Sequence, residues 1–219
     1  MWTVRLEYVK GTHGFILALA MLGGCARHAY SVPVPAAAPA PSVVLAGSTV
    51  AASPSAGVNF SGSDAVNYLL TRHLEVPVAG VATSKLHDSF DEGRDDKRVH
   101  RALDIMAPRG TPVVSADSGR ILRIGFNALG GNAIYATDPM GRVVYYYAHL
   151  DAYRGGLLQG SVVARGDTLG FVGTTGNAPK DTPHLHFQVM RMPSDGRFWD
   201  GDPINPYPLF LLTSDTARQ

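Results

Sequence analysis

The segment Thr182–Val189 constrains the fold most strongly, because its apolar residues alternate with the period of a half-buried strand. In such a strand every second residue faces the core, whereas His184 and His186 share the opposite face. Two imidazoles therefore point together out of one rigid element. Imidazole is the commonest metal ligand and the usual acid or base near neutral pH. A His-x-His pair alone, however, more often indicates two solvated surface histidines.

Two further motifs place histidines upstream of this segment. His100 and Asp104 are four residues apart, and the segment ends at Pro108, too soon for a stable helix. We therefore predict a strand or extended loop, in which this spacing also keeps both side chains on one face. His149 lies in the aromatic, strand-favouring segment Tyr145–Leu150. The histidines without such a context are His13, His28, His73 and His87.

Short strand candidates separated by turn sequences predict an antiparallel, all-β protein from about residue 84. The clearest candidates are residues 112–116, 119–124, 132–137, 143–147 and 168–172. The 24 glycines and 15 prolines suit a turn-rich β protein. No helical pattern long enough to predict a helix occurs in this part. The charged run Asp91–Arg98 is expected to be a solvated loop beside the site.

The first 25 residues have the features of an export signal. Arg5 and Lys10 precede an apolar run over residues 15–22, which is too short to span a bilayer. Leu22–Cys25 resembles the lipobox of bacterial lipoproteins, which predicts a signal peptide over 1–24 and lipidation of Cys25; ordinary signal cleavage is the alternative. Cys25 is the only cysteine, so no intrachain disulfide can form.

The region between the signal and the sheet divides into two parts. Residues 25–60, rich in Ala and Pro, predict a disordered tether. Residues 61–83 predict a linker with a short helix, Ser63–Leu74, that is capped by Ser63 and lies outside the sheet domain. Its apolar face would pack either on that domain or on a partner. The predicted domain covers 84–212, followed by a tail over 213–219. The net charge of +1, with 17% charged residues, gives no field that would favour nucleic acid.

The histidine motifs together predict a zinc site. His100, Asp104 and one histidine of the His-x-His pair would supply two nitrogens and one oxygen, which leaves a fourth tetrahedral position open. Such a set is typical of catalytic zinc and fits Zn²⁺ best among common metals. The chain lacks a His-Glu-x-x-His sequence, so the histidines that do not bind metal are candidates for acid-base and oxyanion-stabilising roles.

These motifs resemble those of the LytM-domain, lysostaphin-type zinc endopeptidases. The resemblance rests on His100-x-x-x-Asp104, Tyr147–Leu150, Gly170–Gly176, His184–Phe187 and Pro203–Pro206. It implies a twisted antiparallel sheet, a distorted sandwich, with a groove carrying one zinc. It also implies that His100, Asp104 and His186 bind this zinc and that His149 and His184 are catalytic. Ala102 stands where many members have Gly, a change that we expect to be tolerated.

The resemblance further implies that the substrate is a peptide bond in bacterial peptidoglycan. The main alternative is a LytM-domain activator of cell-wall amidases, but its members lack ligands that are all present here. A secreted zinc protease acting on Gly-rich proteins is a third reading, which the predicted lipid anchor disfavours. The protein is expected to be lipid-anchored in the cell envelope. The favoured membrane is the outer membrane, with the protein facing the periplasm.

Overall fold

The computed structural model describes residues 60–94 and 98–216. The predicted signal peptide, Cys25 and nearly all of the predicted tether lie outside the described residues. Among the described residues no helix is both long enough and apolar enough to cross a membrane.

The described chain forms strands joined by short turns, between two flanking helices. The helices are α1 (Gly62–Arg72) and α2 (Tyr207–Thr216). The strands are β1 (Gly93–Arg94), β2 (Arg98–Val99), β3 (Leu103–Met106), β4 (Pro112–Val114), β5 (Gly119–Asn127), β6 (Gly131–Thr137), β7 (Val143–Tyr153), β8 (Val162–Val163), β9 (Thr168–Val172), β10 (His184–Arg191) and β11 (Asp202–Ile204). Two 3-10 turns, Thr83–Lys85 and Phe198–Asp200, complete the secondary structure.

The strands confirm the predicted all-β class and the antiparallel sheet. β1 and β2 form a hairpin, and nine strands form one open sheet with the order β11-β10-β7-β6-β5-β8. β3 pairs with β10, and β9 pairs with both β7 and β4. All of these pairings are antiparallel. β9 has the predicted bounds, whereas β7 runs through and beyond His149.

β10 carries His184 and His186 and is paired along both edges, with β7 on one side and with β3 and β11 on the other. Its apolar residues Leu185, Phe187 and Val189 are fully buried in the main core cluster. The alternate residues face the other side, where His186 lies directly opposite Asp104 of β3 and Ala148 of β7. The predicted alternation is therefore confirmed, and the pairing itself brings His186 beside Asp104.

α1 corrects two predictions. The helix is capped by Ser61 rather than Ser63: the Ser61 hydroxyl accepts from the Asp64 amide and the Asp64 carboxylate accepts from the Ser61 amide, a capping box. The helix also does not lie outside the sheet domain, because Ala65 and Leu69 are fully buried in the main core cluster. His73 ends the helix in the left-handed conformation and is exposed, as expected for a surface residue.

The second helix, α2, was not predicted. The apolar run in Tyr207–Leu212 is too short to show a helical period, yet Leu209 and Phe210 are buried and Phe210 contacts Phe187. Asn205 caps the Tyr207 amide through its side-chain oxygen. The predicted tail boundary at residue 213 therefore falls inside a helix that packs on the core.

Candidate metal centre and active site

Three side chains converge at the end of β10. The Nε2 atom of His100 lies 3.0 Å from Oδ1 of Asp104 and 3.0 Å from Nδ1 of His186. The third side of this triangle, from His186 Nδ1 to Asp104 Oδ1, is 3.1 Å. The structure thus brings together the three predicted ligands. Of the His-x-His pair, His186 lies nearer to Asp104, since His184 Nε2 is 3.8 Å from the same oxygen.

Backbone carbonyl groups fix the tautomers of three of the histidine rings. Nδ1 of His100 lies 2.9 Å from the Ser89 carbonyl, Nδ1 of His149 lies 2.8 Å from that of Thr175, and Nδ1 of His184 lies 2.8 Å from that of Thr182. A carbonyl oxygen only accepts, so each Nδ1 must carry the proton. The lone pair of each neutral ring is therefore on Nε2.

A β-bulge re-aims His149 into the site. Ala148 and His149 of β7 both lie across from Ala133, because Asn132 pairs with Leu150 and Ile134 pairs with Tyr147. His149 adopts φ 60°, a left-handed conformation that is uncommon for a residue other than glycine. The bulge puts its ring 5.0 Å from that of His184 and 5.5 Å from that of His186.

Two glycines let the loop after β9 approach this bulge. A Cβ on Gly131 would lie 2.2 Å from the Thr175 hydroxyl, and one on Gly176 would lie 2.3 Å from the Gly131 amide. Both glycines also have positive φ. The close contact lets the Thr175 hydroxyl accept from the Asn132 amide and donate to the Leu150 carbonyl. The Thr175 carbonyl is thereby held beneath His149.

The pKa values of the site reflect burial and mutual contact. Burial alone would raise the pKa of Asp104, but hydrogen bonds with His100 and His186 hold that pKa well below its usual value. Burial lowers the pKa of His149 to about 4 and also lowers that of His186, against the raising effect of Asp104. His149 is therefore a neutral imidazole at pH 7.

The donor set fits zinc. Bonds of about 2.0–2.1 Å in tetrahedral geometry imply donor atoms roughly 3.3–3.4 Å apart, close to the three separations of 3.0–3.1 Å found here. Two imidazoles and one carboxylate leave a tetrahedral ion one open position. The Ser89 carbonyl, which accepts from His100 Nδ1, is the kind of outer partner that orients a metal-binding histidine.

Arg94 is a residue that the sequence analysis missed. Its guanidinium donates to Asp104 Oδ2 and lies 3.2 Å from His100 Nε2. The charged run Asp91–Arg98 was expected to be a solvated loop beside the site: Arg94 does lie beside the site, but it belongs to β1 and contacts the ligands. Residues 95–97 lie outside the described part of the chain.

Ala102 causes no strain at its position. It is fully buried and is not one of the non-glycine residues with positive φ among the described residues; the adjacent Arg101, with φ 57°, is. The change from Gly is therefore tolerated, as predicted, because the backbone at residue 102 does not require glycine.

These residues line an open groove of about 480 Å³. The lining also includes Arg94, Gln188 and Tyr146, and the Tyr146 ring centroid is 6.2 Å from that of His186. An open groove suits an extended chain passing over the site better than an enclosed small molecule.

Comparison with known proteins agrees with this geometry. Residues 98–206 match the model of peptidase family M23, so the match includes every predicted ligand and both predicted catalytic histidines. Residues 98–206 are an M23 domain. The family match covers about half of the chain and begins after Arg94 and α1.

Relatives of the M23 domain include characterised peptidases. The L-Ala–D-Glu endopeptidase of Bacillus subtilis (strain 168) is 34% identical over 122 residues, which is 53% of this chain and 36% of that protein. The DD-carboxypeptidase/endopeptidase Mpg of Neisseria meningitidis serogroup B (strain ATCC 13091 / M2091) is 36% identical over 121 residues, 55% of this chain and 25% of that protein. The aligned region thus spans about a third or less of these relatives.

A solved structure shows the same architecture. The antimicrobial peptidase lysostaphin from Staphylococcus simulans superposes with a TM-score of 0.51 and 26% identity, over 64% of this chain and 55% of that chain. The M23 domain described here therefore shares its sheet with a known peptidase.

Proposed function

We propose that the protein is a zinc-dependent endopeptidase that cleaves peptide bonds in bacterial peptidoglycan. The observation that carries this proposal is that one groove contains both a set of possible metal ligands and a pair of possible catalytic histidines. His100, Asp104 and His186 form a ligand triangle with sides of 3.0–3.1 Å. Beside it, His149 and His184 present rings whose lone pair is on Nε2.

The substrate class follows from the relatives' named bonds. One relative acts on an L-Ala–D-Glu bond and another is named a DD-carboxypeptidase/endopeptidase. Ribosomal polypeptides contain no D-amino acids, whereas the peptides of bacterial peptidoglycan do. We therefore assign peptidoglycan peptides as the substrate of this chain too.

The catalytic roles follow from the tautomers. Zinc held by the three ligands would supply Lewis-acid polarisation of the scissile carbonyl and of the attacking water. His149 or His184 accepts a proton from that water at Nε2, because each Nδ1–H is held by a backbone carbonyl. Once protonated, the same Nε2–H donates to the developing oxyanion or returns the proton to the leaving amine nitrogen. Oδ1 of Asp104 lies 3.8 Å from His184 Nε2, so the ligand triangle and the second catalytic histidine share one wall of the site.

Digestion of purified sacculi tests the proposal. The protein should release fragments that carry new amino termini and intact glycan strands, and a zinc chelator should stop the release. New reducing sugar ends would show a glycosidase and contradict the proposal. If the protein releases nothing by itself but stimulates a cell-wall amidase, it is the activator instead.

We also propose that Cys25 carries a lipid anchor and that the protein resides in the cell envelope, with the outer membrane facing the periplasm favoured. Support for this comes from the Leu22–Cys25 sequence and the Ala/Pro-rich stretch that follows it. An anchored tether would hold the M23 domain within reach of the wall.

A further inference from the structure

A continuous row of aromatic rings leads away from the ligand triangle. The Tyr146 ring lies 6.2 Å from His186 and 4.5 Å from Tyr135. The row continues from Tyr135 to Phe198 at 5.3 Å, and from Phe198 to Trp199 at 5.0 Å. We call Tyr135, Phe198 and Trp199 the aromatic ledge.

The strand register places the beginning of this row next to the site. Gln188 pairs with Tyr146, and Tyr146 pairs with Tyr135, so the three side chains share one row across β10, β7 and β6. This row is one pleat repeat from His186, which is roughly 6.5–7 Å along the strand. Tyr135 and Tyr146 also line the same groove as the ligands.

The end of the ledge is exposed. Phe198 packs on a small cluster on this face of the sheet, and its neighbour Trp199 is 54% exposed. Both lie in the 3-10 turn between β10 and β11. The turn therefore holds a large apolar ring in solvent, in contact with Phe198 and at the far end of the row that begins in the groove, which is the arrangement of a contact surface rather than of core packing.

The charges around the ledge disfavour an anionic ligand. The Arg197 guanidinium lies 2.6 Å from the Asp195 carboxylate and 3.6 Å from that of Asp200, so two carboxylates outnumber the one cation. An anionic group would gain little here.

We propose that the aromatic ledge binds a sugar ring of the peptidoglycan glycan strand while the attached peptide occupies the groove. The apolar C–H face of a pyranose stacks on an aromatic ring, and its hydroxyl and amide groups can hydrogen-bond to Asp195 or Asp200. This inference rests on the proposed function for its substrate. It adds that the glycan and the peptide are recognised together, by two parts of one surface.

Trp199 is itself a probe of this contact. The full chain has two tryptophans, Trp2 and Trp199, and Trp2 lies in the predicted signal peptide. Trp199 is then the sole tryptophan of the processed chain, and Trp2→Phe makes it so in the unprocessed chain; excitation selective for tryptophan isolates its signal from the tyrosines. Peptide-free glycan oligomers, prepared from sacculi with an amidase, should shift or quench its fluorescence in a saturable way. Glycan-free wall peptides should not. A response to the peptides but not to the glycan, or no response to either, overturns the inference.

Variants provide a second, independent measurement. Trp199→Ala should lower kcat/KM on intact sacculi roughly five- to tenfold, the size expected for one lost ring contact, and should leave kcat/KM on glycan-free cross-linked peptides unchanged. Trp199→Phe should restore most of the loss. Phe126→Ala is the matched control, since Phe126 is 65% exposed but is not a member of the aromatic row. Equal losses on both substrates, or an equal loss in the Phe126 variant, contradict the inference.

The two proposals can fail separately. The fluorescence titration does not require hydrolysis, so a protein that binds glycan at Trp199 but cuts no wall peptide refutes the proposed function and leaves the ledge in place. A protein that cleaves sacculi with Trp199 unaffected by glycan refutes the ledge alone.

Discussion

At the residue scale, the chemistry depends on which nitrogen of each histidine faces the groove. His100, His149 and His184 all donate Nδ1–H to a backbone carbonyl, whereas Nδ1 of His186 faces the ligand triangle. The sequence predicts that these histidines belong to the site, because the alternation of apolar residues around His184 and His186 and the spacing of His100 and Asp104 are visible in it. It does not reveal Ser89, Thr175 or Thr182 as their partners, because any residue can supply a carbonyl and only the tertiary fold decides which one is near.

A pH prediction follows from His149 at the same scale. Burial holds its folded-state pKa at about 4, below the unfolded value of about 6.5. Between these values the unfolded chain binds more protons, so the contribution of His149 to stability is complete above about pH 6.5 and is lost as the pH falls towards 4. The loss is at most about 1.4 kcal/mol per pH unit.

The measurement is the free energy of unfolding against pH in the presence of a chelator. In His149→Asn the free energy of unfolding should fall less between pH 6.5 and pH 4 than it does in wild type. Asn is chosen because it tolerates the left-handed backbone conformation. Parallel curves for the two proteins would show that His149 is not held neutral by burial.

At the element scale, α1 is joined to the sheet by a buried ion pair as well as by apolar contacts. Arg72 binds both carboxylate oxygens of Asp117 at 2.8 Å, and the Asp117 side chain is fully buried. Tyr145 also donates to this carboxylate. Sequence reasoning found α1 but separated it from the domain, because neither Arg72 nor Asp117 lies in a motif and their pairing spans 45 residues.

This ion pair makes a stability prediction. Arg72→Met leaves the Asp117 charge buried with only Arg165, 3.5 Å away, as a cationic partner among the described residues. We expect a loss of about 3 kcal/mol in the free energy of unfolding. Arg197→Met, which breaks exposed ion pairs, should leave the free energy of unfolding nearly unchanged, because solvent screens those pairs. Denaturant titration compares the two, and equal losses would mean that α1 is only loosely docked.

The limits of prediction at this scale have physical causes. β9 was predicted with the bounds it has, because turn sequences flank an apolar run on both sides. β7 was predicted too short, because a bulge at His149 interrupts the pairing without ending the strand. α2 was missed because its stability comes from burying Leu209 and Phe210 against the core rather than from a visible periodic pattern.

At the scale of the whole molecule, the proposed anchor would determine where the M23 domain acts. One acyl chain holds a protein only marginally, whereas two or more hold it stably. Wild type should therefore fractionate with membranes, and Cys25→Ser should be released or remain unprocessed. Identical fractionation and gel migration of the two proteins would contradict lipidation.

The central claim divides the five predicted site residues into two groups. His100, Asp104 and His186 bind zinc, whereas His149 and His184 act on the substrate. Zinc content and the rate of sacculus cleavage, measured together on purified wild type, His186→Ala and His149→Asn, test it most directly. The account predicts about one zinc per chain in wild type, loss of both metal and cleavage in His186→Ala, and retained metal with cleavage reduced by about 10²–10⁴-fold in His149→Asn. Loss of zinc from His149→Asn while His186→Ala keeps its zinc, or full cleavage by zinc-free wild type, would contradict it.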